Sequence, residues 1–358
     1  MWFETALTRR LKVRYPIIQA PMAGGPTTPE LVAAVSAAGA IGALGAGYMK
    51  PEAIGEAIRR IRALTSQPFC VNLFVPQPFE VDRARVERSI RLLAPIRRAL
   101  GLLDPPIPSA FSENFYDQVA VCIEHRVPIF SFTFGIPEAE VLTRLREAGI
   151  VTIGTATTVA EACALEKAGV DMICAQGAEA GGHRGSFLRD PASSMVGTMA
   201  LVPQVVDAVN VPVIASGGIM DGRGLAAALA LGASGVQCGS AFLRCHESGA
   251  PAPYKQAIGR ATDDGTAVTR AFSGRLARGL ENTFIKETNQ LGDEWPPYPV
   301  QNALTRDIRN HAAKIGDPEF MSLWAGQAAA LAKEASAAEI IEAMVAQAEQ
   351  IFTRLAER

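Results

Sequence analysis

Lys167-Ala-Gly-Val-Asp-Met-Ile-Cys-Ala-Gln-Gly-Ala-Glu-Ala-Gly-Gly-His-Arg-Gly185 contains the unit from which this chain is built. Lys167-Ala-Gly169 reads as the last turn of a helix closed by glycine, a C-cap signal. Val170–Ala175 is a short apolar run, the pattern of a buried strand. Gln176–Gly185 then forms a loop past the strand's carboxyl end, with His183 set among Gly177, Gly181, Gly182 and Gly185. The glycines let the backbone turn sharply and approach a ligand closely. Histidine is the side chain whose ordinary pKa suits proton transfer near neutral pH. Taken alone, His183 also reads as a solvated loop histidine.

The same joint recurs. Ala37-Ala-Gly39 leads into Ala40–Leu44, Glu147-Ala-Gly149 into Ile150–Gly154, and Ala230-Leu-Gly232 into Gly235–Cys238. Helix starts are marked as well. Thr28-Pro29-Glu30 offers an N-cap with proline at the first helical position. Thr158-Val-Ala-Glu161 and Ser336-Ala-Ala-Glu339 both fit a capping box. Alternating short strands and helices imply a parallel sheet with crossover helices.

Eight strand candidates follow: Ile17–Met22, Ala40–Leu44, Phe69–Phe74, Ile129–Phe134, Val151–Thr155, Met172–Gln176, Val213–Ser216 and Gly235–Gly239. Eight strands in this order predict an α/β fold of the (β/α)8 TIM-barrel type. No G-x-G-x-x-G follows a strand with an acidic residue about twenty positions on, so a dinucleotide Rossmann domain is unsupported. Two stretches exceed the simple repeat. Gln77 to about Val119 carries a charged helix (Val81–Leu100) and a Pro-rich break (Leu103–Ser109), expected as a helical extension between strands three and four. Glu247 to Met321 contains Trp295-Pro-Pro-Tyr-Pro-Val-Gln-Asn302 and is expected to be an inserted cap. The expected division is therefore a barrel over 1–246, a cap over 247–321, and C-terminal helices over 322–358 that complete the barrel. Ile340, Ile341, Met344, Val345, Ala348, Ile351, Phe352 and Leu355 mark one face of the final helix.

Composition narrows the function. The chain has 358 residues, 49% hydrophobic and 20% charged, ample for one large core. Thirty-four basic and 36 acidic residues leave a net charge of −2, which gives no footprint for nucleic acid. No apolar run reaches membrane-spanning length and the first residues carry no apolar signal region, so a cytoplasmic protein is expected. The six cysteines form no C-x-x-C pair and are expected as reduced, mostly buried thiols. The four histidines show no metal-ligand spacing, so no metal is expected. A monomer and a homodimer both remain open.

Barrels of this type place the site on the loops at the carboxyl ends of the strands. After strand one, the small residues of Ala20-Pro-Met-Ala-Gly-Gly25 allow a flat ring to lie near Met22, and they also read as a plain tight turn. Asn72 and Gln176 are polar residues in apolar strands and must find partners; a carboxamide suits the edge of a heterocycle or an internal barrel bond. Strand seven runs into Ala215-Ser-Gly-Gly218 and opens a helix at Leu225–Leu231; strand eight runs into Gln237-Cys-Gly-Ser240. Glycine-rich backbone after strands seven and eight, beside a helix N-terminus, is a phosphate site. A phosphate cradle, carboxamides and a histidine across from them point to FMN as the cofactor.

The chain resembles the nitronate monooxygenases, formerly called 2-nitropropane dioxygenases, of the bacterial class. Four motifs carry the resemblance: Pro21-Met-Ala-Gly-Gly-Pro-Thr-Thr-Pro-Glu-Leu31, Gly177-Ala-Glu-Ala-Gly-Gly-His-Arg-Gly185, Ala215-Ser-Gly-Gly-Ile-Met-Asp-Gly-Arg-Gly224 and Phe272-Ser-Gly-Arg-Leu-Ala-Arg-Gly-Leu280. The resemblance implies an FMN-dependent barrel that oxidises alkyl nitronates, notably propionate 3-nitronate, with dioxygen, by one-electron transfer to the flavin. The products would be an aldehyde or ketone with nitrite or nitrate; no metal is used, and NAD(P)H is not needed for turnover. It makes His183 the catalytic histidine, either a base toward neutral nitroalkanes or a group that holds the anionic nitronate. It places FMN contacts at Met22, Asn72, Gln176, Gly181, Gly218 and the segment Gln237, Cys238, Gly239, Ser240, with Gly217 in the same phosphate loop.

Other residues are open both ways. Arg184 would add positive field, or be solvated. Phe272-Ser-Gly-Arg275 would form a lid wall, or a structural turn that binds a neighbouring loop. Tyr254, Tyr298 and Gln327 are weaker pocket candidates. The alternative function is an FMN-dependent NAD(P)H enoyl-thioester or quinone reductase on the same barrel. A nucleotide dehydrogenase would need a cysteine on the loop after strand six, and Gln176–Asp190 contains none. A non-catalytic flavin- or phosphate-binding protein is the third reading.

Overall fold

The computed structural model describes residues 1–103, 108, 110–291 and 294–357; most of the Pro-rich break at Leu103–Ser109 lies outside them. Eight parallel strands form one sheet: β1 (Ile17–Gln19), β2 (Gly42–Gly45), β3 (Phe69–Phe74), β4 (Ile129–Thr133), β5 (Val151–Ala156), β6 (Met172–Gln176), β8 (Val213–Ser216) and β9 (Gly235–Cys238). The short β7 (Gly182–His183) belongs elsewhere. Neighbours follow the order β1-β9-β8-β6-β5-β4-β3-β2. A parallel bridge between Ile18 and Ile41 brings the two ends together into a barrel. Gln19 strengthens that seam. Its buried carboxamide accepts from the Ala43 amide at 3.1 Å and donates to the Ala43 carbonyl at 3.2 Å.

All eight expected strands are present; three, over Phe69–Phe74, Met172–Gln176 and Val213–Ser216, have the expected ends and the other five are shifted by one to three residues. The glycine stops hold too. Gly39, Gly149, Gly169 and Gly232 all take positive φ, which side chains resist. At Gly232 a Cβ would also stand 2.9 Å from Val206. Thr28 and Ser336 cap their helices, and Ser336 with Glu339 completes a capping box.

Thr158 departs from expectation. It caps its helix, but Glu161 does not return the bond. The Glu161 carboxylate instead takes the Thr157 amide at 2.7 Å and the Phe187 and Leu188 amides at 2.6 and 3.1 Å. The residue read as a helix cap therefore ties down the chain that leaves the His183 loop.

Side chains that point into the barrel change character along its axis, because every second residue of a strand faces inward. At the amino end they are apolar: Ile18, Cys70, Ile129, Ile153, Met172 and Ile214 pack together. Leu7 and Leu11, from the N-terminal helix Ala6–Leu11, plug that end. At the carboxyl end the inward series becomes Asn72, Thr133, Thr155, Gln176, Ser216 and Gln237, all of which line a cavity. The larger core lies between the barrel and its surrounding helices.

A second, three-stranded antiparallel sheet joins β10 (Thr266–Thr269), β11 (Ala277–Leu280) and β7. No sequence pattern signals it, and His183, expected on a loop, is the second residue of β7. The helix expected over Val81–Leu100 spans Arg83–Ala99, and the one expected from Leu225 begins at Gly222. Among the described residues between Glu247 and Met321 lie four α-helices, at Ala252–Gly259, Thr283–Asn289, Val300–Leu304 and Arg306–Ile315, and a 3-10 turn at Pro318–Phe320, besides β10 and β11. The last helix, Ala337–Ala356, buries Ile340, Ile341, Met344 and Ala348, whereas Leu355 is exposed near its end.

Candidate active site

A cavity of about 430 Å3 opens at the carboxyl end of the barrel, within the size range of small-molecule sites. His183 lines it, and β7 explains how the residue is held. His183 pairs with Ala277 and Gly182 with Arg278 across β11. The Gln176 side chain, at the end of β6, clasps the same stretch from below. Its amide donates to the His183 carbonyl at 3.0 Å and its oxygen accepts from the Gly185 amide at 2.8 Å.

The imidazole itself is fixed by the Phe272-Ser-Gly-Arg275 turn. His183 Nε2 lies 2.8 Å from the Ser273 hydroxyl. Phe134, Tyr298 and Trp324 surround the ring at centroid distances of 5.7, 5.9 and 5.5 Å. Burial among these rings pulls the His183 pKa down from 6.5 to about 3, and the charges of Arg275 and Arg309 push the same way. The ring's remaining exposure is to the cavity. His183 is therefore a neutral imidazole at neutral pH. With Nε2 engaged by Ser273, Nδ1 is the nitrogen without a protein partner among the described residues.

Arg184, next in sequence, is neither solvated nor in the cavity. Its side chain is buried beneath the loop, where it donates to the carbonyls of Gln176, Ser194 and Thr157. Arg275 stacks over the Phe134 ring at 4.1 Å and donates to the Arg184 carbonyl at 3.1 Å. The Phe272 motif is thus a structural turn that binds the neighbouring loop and also grips the histidine.

Most of the other expected site residues converge on the cavity: Met22, Asn72, Gln176, Gly181, Gly217, Gly218, Gln237, Gly239 and Ser240 all line it. Cys238 does not. Its side chain is buried on the other face of β9, as alternation requires. Tyr254 lines the cavity and donates to the Trp324 carbonyl at 2.6 Å, while Tyr298 stands behind His183 and Gln327 lies outside the lining.

Close approaches explain two of the glycines. A Cβ at Gly181 would stand 2.5 Å from the Ala325 carbonyl carbon, and one at Gly177 would stand 1.9 Å from the Thr198 hydroxyl. The 325–326 backbone crosses over the histidine loop at that point and is pinned by the Gly326 amide, which donates to Ser240 Oγ at 2.9 Å.

The lining suits a flat, anionic, heterocyclic cofactor. Gly217 and Gly218 follow β8 and Gly239 follows β9, so bare backbone faces the cavity on that side. Asn72 donates to Ser131 Oγ at 2.9 Å, across the register of β3 and β4, and its oxygen has no protein partner among the described residues. The Gln237 carboxamide has none at all among them, although it faces the cavity. Among the described residues, no aspartate or glutamate lines the site.

Several lining residues escaped the sequence reading: Tyr48, Phe74, Phe134, Trp324, Arg306 and Arg309. Phe74 and Phe134 stand at or just past the ends of β3 and β4, and that position was the available signal. The two arginines lie on the helix Arg306–Ile315, inside the stretch expected only as a cap.

Comparison with known proteins agrees with this geometry. A family model described as nitronate monooxygenase matches residues 4–347. The chain is 48% identical over 356 residues to a probable nitronate monooxygenase of Staphylococcus saprophyticus, which covers 99% of this chain and 100% of the relative. It is 48% identical over 353 residues to one of Staphylococcus aureus, covering 98% and 99%. Among solved structures it is similar to a nitroalkane oxidase from Streptomyces ansochromogenes, with a TM-score of 0.91, 42% identity, and coverage of 98% of this chain and 100% of that one. It is also similar to FabK from Thermotoga maritima, with a TM-score of 0.78, 33% identity and 99% coverage of each chain.

Proposed function

Since the chain belongs to the nitronate monooxygenase family, flavin-dependent oxidoreductases, we propose that it binds FMN in the barrel cavity and oxidises alkyl nitronates there with dioxygen. Propionate 3-nitronate is one such substrate. The observation that carries the reading is the neutral, Ser273-anchored His183 facing a cavity with glycine backbone on one side and, among the described residues, no carboxylate in its lining.

Gly217, Gly218, Gly239 and Ser240 would hold the phosphate through backbone and hydroxyl donors. Asn72 and Gln237 would meet the edge of the ring, and Gln176 supports it indirectly by fixing the loop above. When bound, FMN supplies the electron acceptor that lets dioxygen take part.

The protein's own part is to bind, orient and handle the proton. A neutral His183 can take the α-proton of a nitroalkane at Nδ1, because that nitrogen is free when Nε2–H is given to Ser273. Toward a substrate that arrives already as the nitronate anion, the same ring orients the nitro oxygens and needs no proton exchange. Phe134, Tyr298 and Trp324 keep bulk water from the imidazole, which strengthens each polar contact made there. Cys174, at the cavity floor, has its thiol pushed up to about 12 by burial and is not a competing nucleophile.

The deciding experiment mixes the purified, yellow protein anaerobically with propionate 3-nitronate and follows visible absorbance. Loss of the oxidised flavin spectrum, restored by air together with formation of nitrite, is expected. No change with nitronate but full bleaching by NADH would replace this reading with the reductase one. A protein that neither carries nor takes up FMN would end both.

A further inference from the structure

A second cavity, of about 330 Å3, shares none of the first one's lining. Arg85, Arg270, Gly274, Trp295 and Pro297 border it. It forms where the two stretches that exceed the plain barrel meet. Arg85 stands in the first turn of the helix Arg83–Ala99, and the other four residues belong to the stretch from Glu247 to Met321. Trp295 is buried, in one apolar cluster with Phe272, Phe284 and Ile308, and gives the cavity a fixed wall.

The walls do not balance their own charge. Arg85 is exposed, and its side chain joins no ion pair or hydrogen bond among the described residues. Arg270 spends one terminal nitrogen on the Asp190 carboxylate, at 3.0 and 2.9 Å. Its other two guanidinium nitrogens have no protein acceptor among the described residues. Glu294, the residue before Trp295, is taken by Arg88. Among the described residues no carboxylate lines the cavity. Two guanidinium groups that border one space repel each other, and an oxyanion between them replaces that repulsion with charge-assisted hydrogen bonds.

The same cavity backs onto the turn that holds the histidine. The Arg270 carbonyl accepts from the Ser273 and Gly274 amides at 3.2 and 2.7 Å. Gly274 has a φ of 82° and no room for a side chain. A Cβ there would stand 2.2 Å from the Pro296 carbonyl oxygen and 2.6 Å from the Tyr298 amide nitrogen. Turn and 296–298 backbone are thus pressed together. Gly274 and Pro297 border the second cavity, while Ser273 and Tyr298 reach His183.

We infer that this second cavity binds a small organic oxyanion, a carboxylate or a phosphate ester, between Arg85 and Arg270, and that its occupant steadies the turn that aims His183. The volume is that of a small-molecule site and exceeds what a bare ion fills, so an organic body fits against Trp295 and Pro297. The coupling is local. An anion restrains the Arg270 side chain, the Arg270 carbonyl closes the turn, and Ser273 passes the restraint to the imidazole. The site goes beyond the proposed function and stands apart from whatever the barrel cavity oxidises.

The test titrates benzoate, phenyl phosphate and, as an uncharged control, benzyl alcohol into the FMN-loaded protein by calorimetry. FMN loading keeps phenyl phosphate off the glycine loops. Wild type, Arg85→Gln and Arg270→Lys are compared. At least one anion is expected to bind wild type, and the tighter of the two identifies the oxyanion; benzyl alcohol should not bind. Arg85→Gln should weaken the anion about ten- to a hundredfold, the scale of hydrogen bonds to a charged group, with turnover in the absence of probe unchanged. Arg85 is exposed, so folding is not at risk. Arg270→Lys, which keeps the charge and loses the fork, should weaken binding less than tenfold.

Amide hydrogen exchange at Gly274 reports the coupling: the bound anion should slow it in wild type and leave it unchanged in Arg85→Gln. Binding without any change at Gly274 overturns the link to His183. Absence of binding by either anion, equal affinity in wild type and Arg85→Gln, or equal binding of benzyl alcohol overturns the site itself. Inhibition that competes with the nitronate and persists in Arg85→Gln overturns it as well, by placing the probe in the barrel cavity. A protein that binds the anion through Arg85 but oxidises no nitronate would sink the proposed function and leave this site standing.

Discussion

His183 Nε2 and the Ser273 hydroxyl lie 2.8 Å apart although ninety residues separate them in the chain. The serine is itself locked: its hydroxyl reaches the Arg275 carbonyl at 3.1 Å and accepts from the Arg275 amide at 3.3 Å. Ser273 is thus a positioning residue that sets the imidazole's angle and occupies one of its nitrogens. Ser273→Ala is expected to lower kcat/KM by about tenfold, the scale of one hydrogen bond, with FMN content unchanged. Ser273→Thr, which keeps the hydroxyl, should recover part of the loss. Equal activity in Ser273→Ala and wild type would show that the turn plays no part in aiming the ring.

His183 should be separable from cofactor binding, since the glycine loops do not depend on it. His183→Asn is expected to retain FMN and to lose about 10²–10⁴-fold in turnover of a neutral nitroalkane, the range of a general base. The loss on a preformed nitronate should be smaller, because no proton has to be removed. Flavin absorbance and steady-state rates on both forms of one substrate check this. A loss of the same size on both would assign the histidine to anion binding instead of proton abstraction.

The pH dependence follows from the direction of the His183 shift. Burial, then Arg275 and Arg309, lower its pKa from 6.5 to about 3. Above 6.5 the ring is neutral in folded and unfolded chains alike and adds nothing to a pH dependence. Below it, the unfolded chain takes a proton that the folded chain refuses, so this group lowers stability progressively as pH falls toward 3. Activity should therefore show no ionisation of His183 between about pH 5 and 8, where an ordinary histidine would titrate. A kcat/KM profile on a fully ionised nitronate, read together with the same profile for His183→Asn, tests the point. An acid limb near 6.5 in wild type that vanishes in the variant would contradict a buried neutral imidazole.

The barrel was legible because its signals are local and repeated. Glycine closes each helix at Gly39, Gly149, Gly169 and Gly232, and apolar runs of four to six residues follow. The polar residues in apolar strands, Asn72 in β3 and Gln176 at the end of β6, marked the end of the barrel that opens to the cavity, since an amide in an apolar strand has to meet a partner.

What stayed hidden depends on contacts distant in sequence. β7 is two residues long, and pairing with β11 defines it, not any pattern of its own. Glu161 sits where a capping box needs a glutamate, yet its carboxylate serves Phe187 and Leu188. Arg306 and Arg309 belong to a helix whose charge pattern is that of any solvated face, and only the fold turns one side of it toward the cavity. Arg184 shows the converse: an arginine beside the His183 strand reads as a source of field or as a solvated side chain, but this one is consumed in holding backbone carbonyls.

Gln176 offers the sharpest separation between support and direct cofactor contact. Its carboxamide is spent on the His183 carbonyl and the Gly185 amide, at 3.0 and 2.8 Å. Gln176→Leu removes both bonds and leaves the Gly185 amide unpartnered, a cost of about 2–3 kcal/mol. Since both bonds are internal to the protein, the loss should appear in the FMN-free protein as a lower Tm and as faster amide exchange at Gly185. If Gln176 acted chiefly by touching FMN, the FMN-free variant would melt like FMN-free wild type and only the holoenzyme would differ. Melting both proteins with and without FMN distinguishes the two, and equal destabilisation in both states is the expected result, because the clasp on the histidine strand is made before any cofactor arrives.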